Sequence, residues 1–490
     1  MFLDSRTVVL AKVPGSGRYP ALECFLEGAG AGAVGPGSGP PAPSPCNLVS
    51  QLFREAGLDA PGIGGGGWNP LGEFIRPGDA VVLKPNFVSH YNQSGQGMDC
   101  MVTHASVLAS VLEYVLLAGP RRVIVGDAPV QGCDFQRLMD VTGCARLKEH
   151  YARLGAPVEW VDFRRTIMDA SKLVWERISE RRPRELFTLF DLASESLLEP
   201  ISEDADRFRV TMYDPALMRE THARGRHQYL VAREILEADV VLNLPKLKTH
   251  TKAGITGALK NLVGINGNKD YLPHHRLGGR GRGGDCYSGG SRLKLAAERL
   301  LDGANGRSGI SQLCFRQAAR FSLGLARLLG EDRNVEGGWH GNDTIWRTCL
   351  DLNRILIYGR ADGSLAPTPQ RTTFTITDAV VCGEGEGPLA PSPKPMGMLT
   401  CAVNPVAAEY VHAHLMGFDW QRIPLLREAF HCPTYPLADF GPEDVQVLFE
   451  AGRFKQPWPA WNAVPFRAPA GWAGHCEHGY PGGGRLVRHP

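Results

Sequence analysis

Short apolar runs alternate along this chain with longer stretches of helical period. "TVVLAKV" (7–13) and "AVVLKPNF" (80–87) read as buried strands. "HASVLASVLEYVLLAG" (104–119) places apolar residues at helical spacing and stops at a glycine. "RRVIVGD" (121–127) is a strand, 134–155 a helix and "PVEWVDF" (157–163) a strand. "AREILEADVVLNLPKLKTH" passes from helix into strand, and a helix follows through "ITGALKNLVG". "RTTFTITDAVV" and "MGMLTCAVN" return as strands before a helix at "PVAAEYVHAHLMG". This alternation predicts an α/β fold, a mostly parallel or mixed sheet with helices on both faces.

The pattern also sets the organisation. An α/β region fills 1–430. It is interrupted by a Gly/Pro/Ser/Ala insertion at 28–45, too poor in apolar surface to order itself, and by a loop at 60–70. Residues 164–225 are charged and weakly periodic, and read as an insertion on the sheet's edge. Residues 290–360 read as helical. The tail, 431–490, with Trp458 and Trp461, is expected to wrap the domain.

Composition narrows the function classes. With 43% hydrophobic and 21% charged residues in 490, the chain is globular, and its net charge of +2 argues against general nucleic-acid binding. Positive charge is concentrated instead: between Lys246 and Arg282 stand eight Lys/Arg and one acid, Asp270. Twelve scattered cysteines without a CxxC read as reduced thiols and exclude a ferredoxin-type cluster on this chain's own cysteines. Neither a signal peptide nor a membrane span is read, so a cytoplasmic protein is expected.

Strand ends supply the candidate chemistry, because ligands of open α/β sheets bind outside the carboxyl ends of the strands. Lys84 and Asn86 end one strand, Asp127 another, and Lys246, Lys248 and His250 continue a third, all three on one side of an extended chain. The small residues of "THTKAGITGALKN" would leave a helix N-terminus open beside these lysines, a natural anion site. Thr256, Lys260 and Asn261 lie on that helix. His274 and His275 follow in "YLPHHRLGG", where glycines would let the backbone approach a ligand. Separately, Asp378, Glu384 and Glu386 are gathered by the Gly-rich loop of "ITDAVVCGEGEGP". Such oxygen ligands suit a divalent metal (Mg²⁺, Mn²⁺, Ca²⁺ or Fe²⁺), general acid/base work, or no more than an acidic turn.

The runs "VVLKPNFV", "RRVIVGDAP", "VVLNLPKLKTHTKAGITGALKNLVG", "TDAVVCGEGEGP" and "NPVAAEYVHAHLMGFD" resemble, in order, the DUF362 family of α/β proteins. Several of its members carry an attached iron–sulfur segment, which the resemblance would extend to a separate redox partner here. Where the family often has Asp-Pro-Val-Ala-x-Asp, this chain has Asn404 to Glu409.

Two functions follow as expectations. One is an enzyme on a small carboxylated or phosphorylated metabolite. Lys84, Lys248 and Lys260 would hold the carboxylate or phosphate, and His250, Lys248 and Asp127 would carry proton transfer or a redox step. The other is a non-catalytic anion- or polyanion-binding protein using the same basic surface, with strongly salt-dependent binding.

Overall fold

A computed structural model describes residues 3–13, 18–27, 43–63, 67–169, 177–332, 334–456, 458 and 465–478. Most of the 28–45 insertion, part of the 60–70 loop and Trp461 lie outside them. The fold is α/β, built on one sheet of eleven strands.

Its centre is parallel. Thr372–Glu386, Val240–Leu244, Ala80–Pro85, Arg122–Asp127 and Val158–Asp162 lie side by side in that order. Val240–Leu244, Ala80–Pro85 and Arg122–Asp127 carry near-continuous apolar runs, as strands covered on both faces do, whereas Val158–Asp162 at the sheet's edge is only partly buried. On the other flank Ala390–Ala402 pairs antiparallel with Thr372–Glu386 and with Thr7–Lys12. Gln446–Phe449 then joins Thr7–Lys12 in parallel, and Gly452–Phe454 ends the sheet. The tail therefore contributes strands to the sheet.

Alternation divides the strand residues between two cores. Val81, Leu83, Val123, Val125 and Leu242 pack on one face with the helix Ala105–Leu117. Val82, Ile124 and Val241 face the other way, towards the helices Ile345–Tyr358 and Pro405–Met416. The 164–225 segment adds Phe187, Phe190, Leu198 and Phe208 to this second core. It builds small sheets of its own, Phe187–Asp191 with Arg226–Ala232 and Phe208–Arg209 with His275–Arg276. It covers a face, where the pattern suggested an edge. In the 290–360 region stand the helices Arg292–Asn305, Gly309–Leu328 and Ile345–Tyr358.

Two local expectations are corrected. The stretch after His250 does not begin a helix. Lys246–His250 turns at 251–253 and returns as Gly254–Thr256, with Gly254 at φ +83°, where a side chain is strained. Only Ala258–Asn261 is α-helical, and the Ala258 N–H is taken by the buried Glu409 carboxylate at 2.6 Å. No open helix N-terminus is left there for an anion. The Gly-rich acidic segment is likewise no loop. Gly383 to Glu386 continue the strand Thr372–Glu386, paired with Ala390–Pro393. Among the described residues no helix is long and apolar enough to cross a membrane.

Candidate functional site

The carboxyl ends of Ala80–Pro85 and Arg122–Asp127 open into a cavity of about 660 Å³. Its size suits a small-molecule ligand. Asn86, Asp127, His250, Thr256, Lys260, Asn261 and His274 line it, and so do Lys252 and Lys269.

Beneath it, Lys84 Nζ meets Asp127 Oδ1 at 2.7 Å, both side chains buried. The Phe87 and Ala128 N–H groups donate to the same carboxylate, at 2.6 and 2.8 Å. Burial raises the Asp127 pKa and lowers that of Lys84, each shift opposed by the other's charge. With two backbone donors on the carboxylate, the ion pair is the form this geometry favours. Gly264 lies over it, and a Cβ there would stand 1.9 Å from Asp127 Oδ1.

Asn261 ties the floor together. Its amide nitrogen donates to the Lys84 carbonyl at 3.0 Å and to Asn243 Oδ1 at 2.8 Å. Its oxygen accepts from Lys84 Nζ and from Asn86 Nδ2, at 3.2 and 2.9 Å. Lys248 is buried below the cavity and donates to Asn86 Oδ1 and the Met101 carbonyl. Desolvation first, then the charge of Lys246, drive its pKa well below the usual lysine value. Lys84 and Lys248 thus support the site from underneath.

Charge in the cavity comes from elsewhere. Lys252, Lys260 and Lys269 line it against Asp127, already paired, and the exposed Glu336. Neither Lys260 nor Lys269 has a hydrogen-bond or ion-pair partner among the described residues. Burial, with the neighbouring charge of Lys260, brings the Lys269 pKa down to about 8. The Thr256 side chain is 2% exposed, and its hydroxyl has no hydrogen-bond partner among the described residues.

The two cavity histidines differ in tautomer, assigned here from their partners. The N–H groups of Lys252 and Ala253 both point at His250 Nδ1, at 3.0 and 3.2 Å. That nitrogen must accept, so the proton sits on Nε2. His274 Nδ1 lies 2.6 Å from the Leu272 carbonyl and must donate, which frees its Nε2 lone pair. Desolvation and nearby lysines push both pKa values well below the usual imidazole value. His250 is therefore a neutral donor without a free lone pair. His274 is the neutral acceptor.

The remaining expected residues are not brought to this cavity. Lys246 Nζ is held by Asp378 Oδ2 at 2.6 Å, both fully buried, and by the Tyr19 hydroxyl at 2.6 Å. Asp378 also accepts from Tyr19 and from the His104 N–H. Glu384 Oε2 and Glu386 Oε1 accept from the Arg467 and Ala470 N–H groups of the tail, at 3.0 and 2.7 Å. Asp378, Glu384 and Glu386 do not converge on a metal position; among the described residues the only convergent group of three or more His, Cys, Asp or Glu is another one. His275 faces a second, smaller cavity.

Lys252 and Lys269 escaped the sequence reading. Lys252 is one further step in the alternation Lys246, Lys248, His250, and that step was open to inspection. Lys269 sits in an irregular Asn/Gly stretch and carries no comparable signal.

A family model described as a domain of unknown function, DUF362, matches residues 81–180 and 190–414. The chain belongs to the DUF362 family. The matched stretches contain every cavity lysine and both cavity histidines. At the departure from the family pattern, Asn404 caps the helix Pro405–Met416, accepting from Val406 N–H at 2.7 Å. Glu409 holds Ala258, so both positions are structural here. A Synechocystis protein named as thylakoid-associated is 27% identical over 195 residues, which are 40% of this chain and 41% of that protein. A crystal structure of a Thermotoga maritima protein aligns over 71% of this chain and 55% of its own, at 12% identity and a TM-score of 0.29, too low to carry an argument.

Proposed function

We propose that this DUF362 protein is an enzyme that binds a small carboxylated or phosphorylated metabolite and moves a proton on it. The observation that carries the reading is the convergence of Lys252, Lys260 and Lys269 on one cavity whose only lining acids, among the described residues, are a paired aspartate and Glu336. Lysine holds such anions as a point charge. Their enclosure favours a small ligand over a nucleic acid, which needs an open basic surface.

In this reading the lysines hold the anionic group and the Thr256 hydroxyl donates to one of its oxygens. His250 Nε2–H donates to the oxygen on which charge develops, as preorganised donors do. His274 Nε2 accepts the proton. Its low basicity in the empty cavity rises once a bound anion offsets the lysines. We place this chemistry in the cytoplasm, where the twelve cysteines, all free, would remain reduced. A redox step with a separate partner stays the second expectation, and no distance in the site favours it.

The test needs no known substrate. A panel of small carboxylates and phosphate esters is screened for binding, then incubated with the protein in D₂O and followed by NMR for loss of carbon-bound protons. Exchange that disappears in His274→Ala supports the proposal. It fails if nothing in the panel binds, or if Lys252→Ala/Lys260→Ala/Lys269→Ala binds as the native chain does. Binding without exchange would move the assignment to a non-catalytic anion-binding protein.

A further inference from the structure

The Gly-rich basic segment has a second use, away from the large cavity. Gly278 and Gly283 take positive φ, +87° and +77°. The chain between them and Gly289 folds back on itself, with Cys286 N–H donating to the Gly278 carbonyl at 3.0 Å and Arg280 N–H to the Tyr287 carbonyl at 3.0 Å. A Cβ on Gly284 would stand 2.1 Å from the Gly278 carbonyl oxygen, so this closure requires glycine. Its effect is to return Cys286 to the side of His275. Glu298 reaches the same point from the helix Arg292–Asn305.

A ring nitrogen of His275, the Cys286 Sγ and a Glu298 carboxylate oxygen lie within 4.8 Å of one another, and all three residues are buried. Two features of this group leave room for a ligand. His275 is 5% exposed and its Nδ1 has no hydrogen-bond partner among the described residues. Glu298 is 4% exposed and has no basic partner among the described residues; the Gly278 N–H donates to its carboxylate, and the Cys286 thiol and the Tyr287 hydroxyl lie in hydrogen-bonding contact with it. A buried carboxylate without a countercharge is costly.

We propose that His275, Cys286 and Glu298 bind a divalent transition metal of the zinc class. Nitrogen, thiolate and carboxylate in one cluster suit Zn²⁺, whereas Mg²⁺ and Ca²⁺ take oxygen ligands. The metal supplies the charge that Glu298 lacks and a partner for the imidazole, and the thiol proton is released to solvent on binding. The Gly278 N–H orients the carboxylate from outside. His275 and Glu298 also line a cavity of about 220 Å³, so the fourth position opens on space for a water. Val210, Thr211, Met212 and Glu336 line both cavities, which places the metal behind one wall of the anion site. Nothing in this site depends on the chemistry proposed for the larger cavity.

Co²⁺ is the probe. Full-length chain stripped with a chelator is titrated with Co²⁺, and a thiolate-to-metal charge-transfer band is expected to saturate at one metal per chain. Zn²⁺ should displace it. Cys286→Ser should abolish the band. Glu298→Gln should weaken Co²⁺ binding by at least the roughly 10–100-fold typical of losing a metal's outer-shell partner. The proposal is overturned if the native chain takes up no Co²⁺, or takes it up without the thiolate band. It is overturned equally if Zn²⁺ content by elemental analysis is the same in native, Cys286→Ser and Glu298→Gln chains. The native-chain spectrum decides the matter even where a variant does not fold.

Discussion

His274 and His275 are consecutive in the chain and line different cavities, one with cationic walls and one beside a thiol and a carboxylate. The short pairing of His275–Arg276 with Phe208–Arg209 sets this alternation, because adjacent residues of extended chain face opposite ways. An inserted or deleted residue just before His274 would exchange the two rings and disable both sites together.

The Lys84–Asp127 pair should behave as one unit. Lys84→Met or Asp127→Asn alone leaves one buried partner without its mate and should cost about 3–5 kcal/mol of stability. The double variant Lys84→Met/Asp127→Asn should lose clearly less than the sum. Urea unfolding of the four chains measures the coupling, and strict additivity would show that the pair contributes nothing as a pair.

Gly264→Ala tests the packing above that pair. The new methyl would fall 1.9 Å from Asp127 Oδ1 and 2.8 Å from Lys84 Nζ. Displacing a buried ion pair should cost at least the roughly 1–3 kcal/mol typical of overpacking. A thermal melt equal to that of the native chain would count against the described floor.

Thr256→Val separates ligand binding from stability. The hydroxyl has no partner among the described residues, so its replacement by a methyl of similar shape should leave the protein as stable or up to about 1 kcal/mol more stable. Affinity for the panel compound that binds best should fall about 5–10-fold, as expected for losing one hydrogen bond of about 1–1.5 kcal/mol. Calorimetry and a thermal melt on the same samples read both effects.

Anion binding should weaken with rising pH. Lys269, at about 8, loses its charge through that region, so sulfate affinity should fall by up to about tenfold between pH 7 and pH 9. Sulfate keeps its own charge there. Folding stability runs the other way. Between about 8 and the ordinary lysine value the unfolded chain holds the proton that the native chain has released, so Lys269 contributes increasing stability as pH rises. Lys269→Met should flatten the sulfate profile, which calorimetry across this range would detect.

The parallel core was legible because its central strands, Ala80–Pro85, Arg122–Asp127 and Val240–Leu244, carry apolar runs, and the positions of Lys84, Asp127 and His250 at strand ends followed from it. What could not be read was set by tertiary contact. The turn at 251–253 replaced the expected helix because Gly254 takes a positive φ, and Glu409, 151 residues from Ala258, caps the short helix that remains. The roles of His250 and His274 depend on which backbone groups meet each Nδ1, and residue type does not reveal that. Asp378 looked like a metal ligand and proved to be the partner of Lys246, a pairing fixed by the neighbouring strands. The cluster of His275, Cys286 and Glu298 was hidden by the fold-back that brings its members together.

The position of Thr7–Lys12 in the sheet has a consequence for synthesis. Its neighbours are Ala390–Ala402 and Gln446–Phe449, with Val8 opposite Ala402 and Thr7 opposite Gln446. This strand leaves the ribosome roughly 400 residues before either neighbour exists, a wait of about 20–80 s at ordinary elongation rates. Throughout that interval both hydrogen-bonding edges of this apolar segment lack their native partners. Its two edges are satisfied only once Ala390–Ala402 and Gln446–Phe449 have been synthesised.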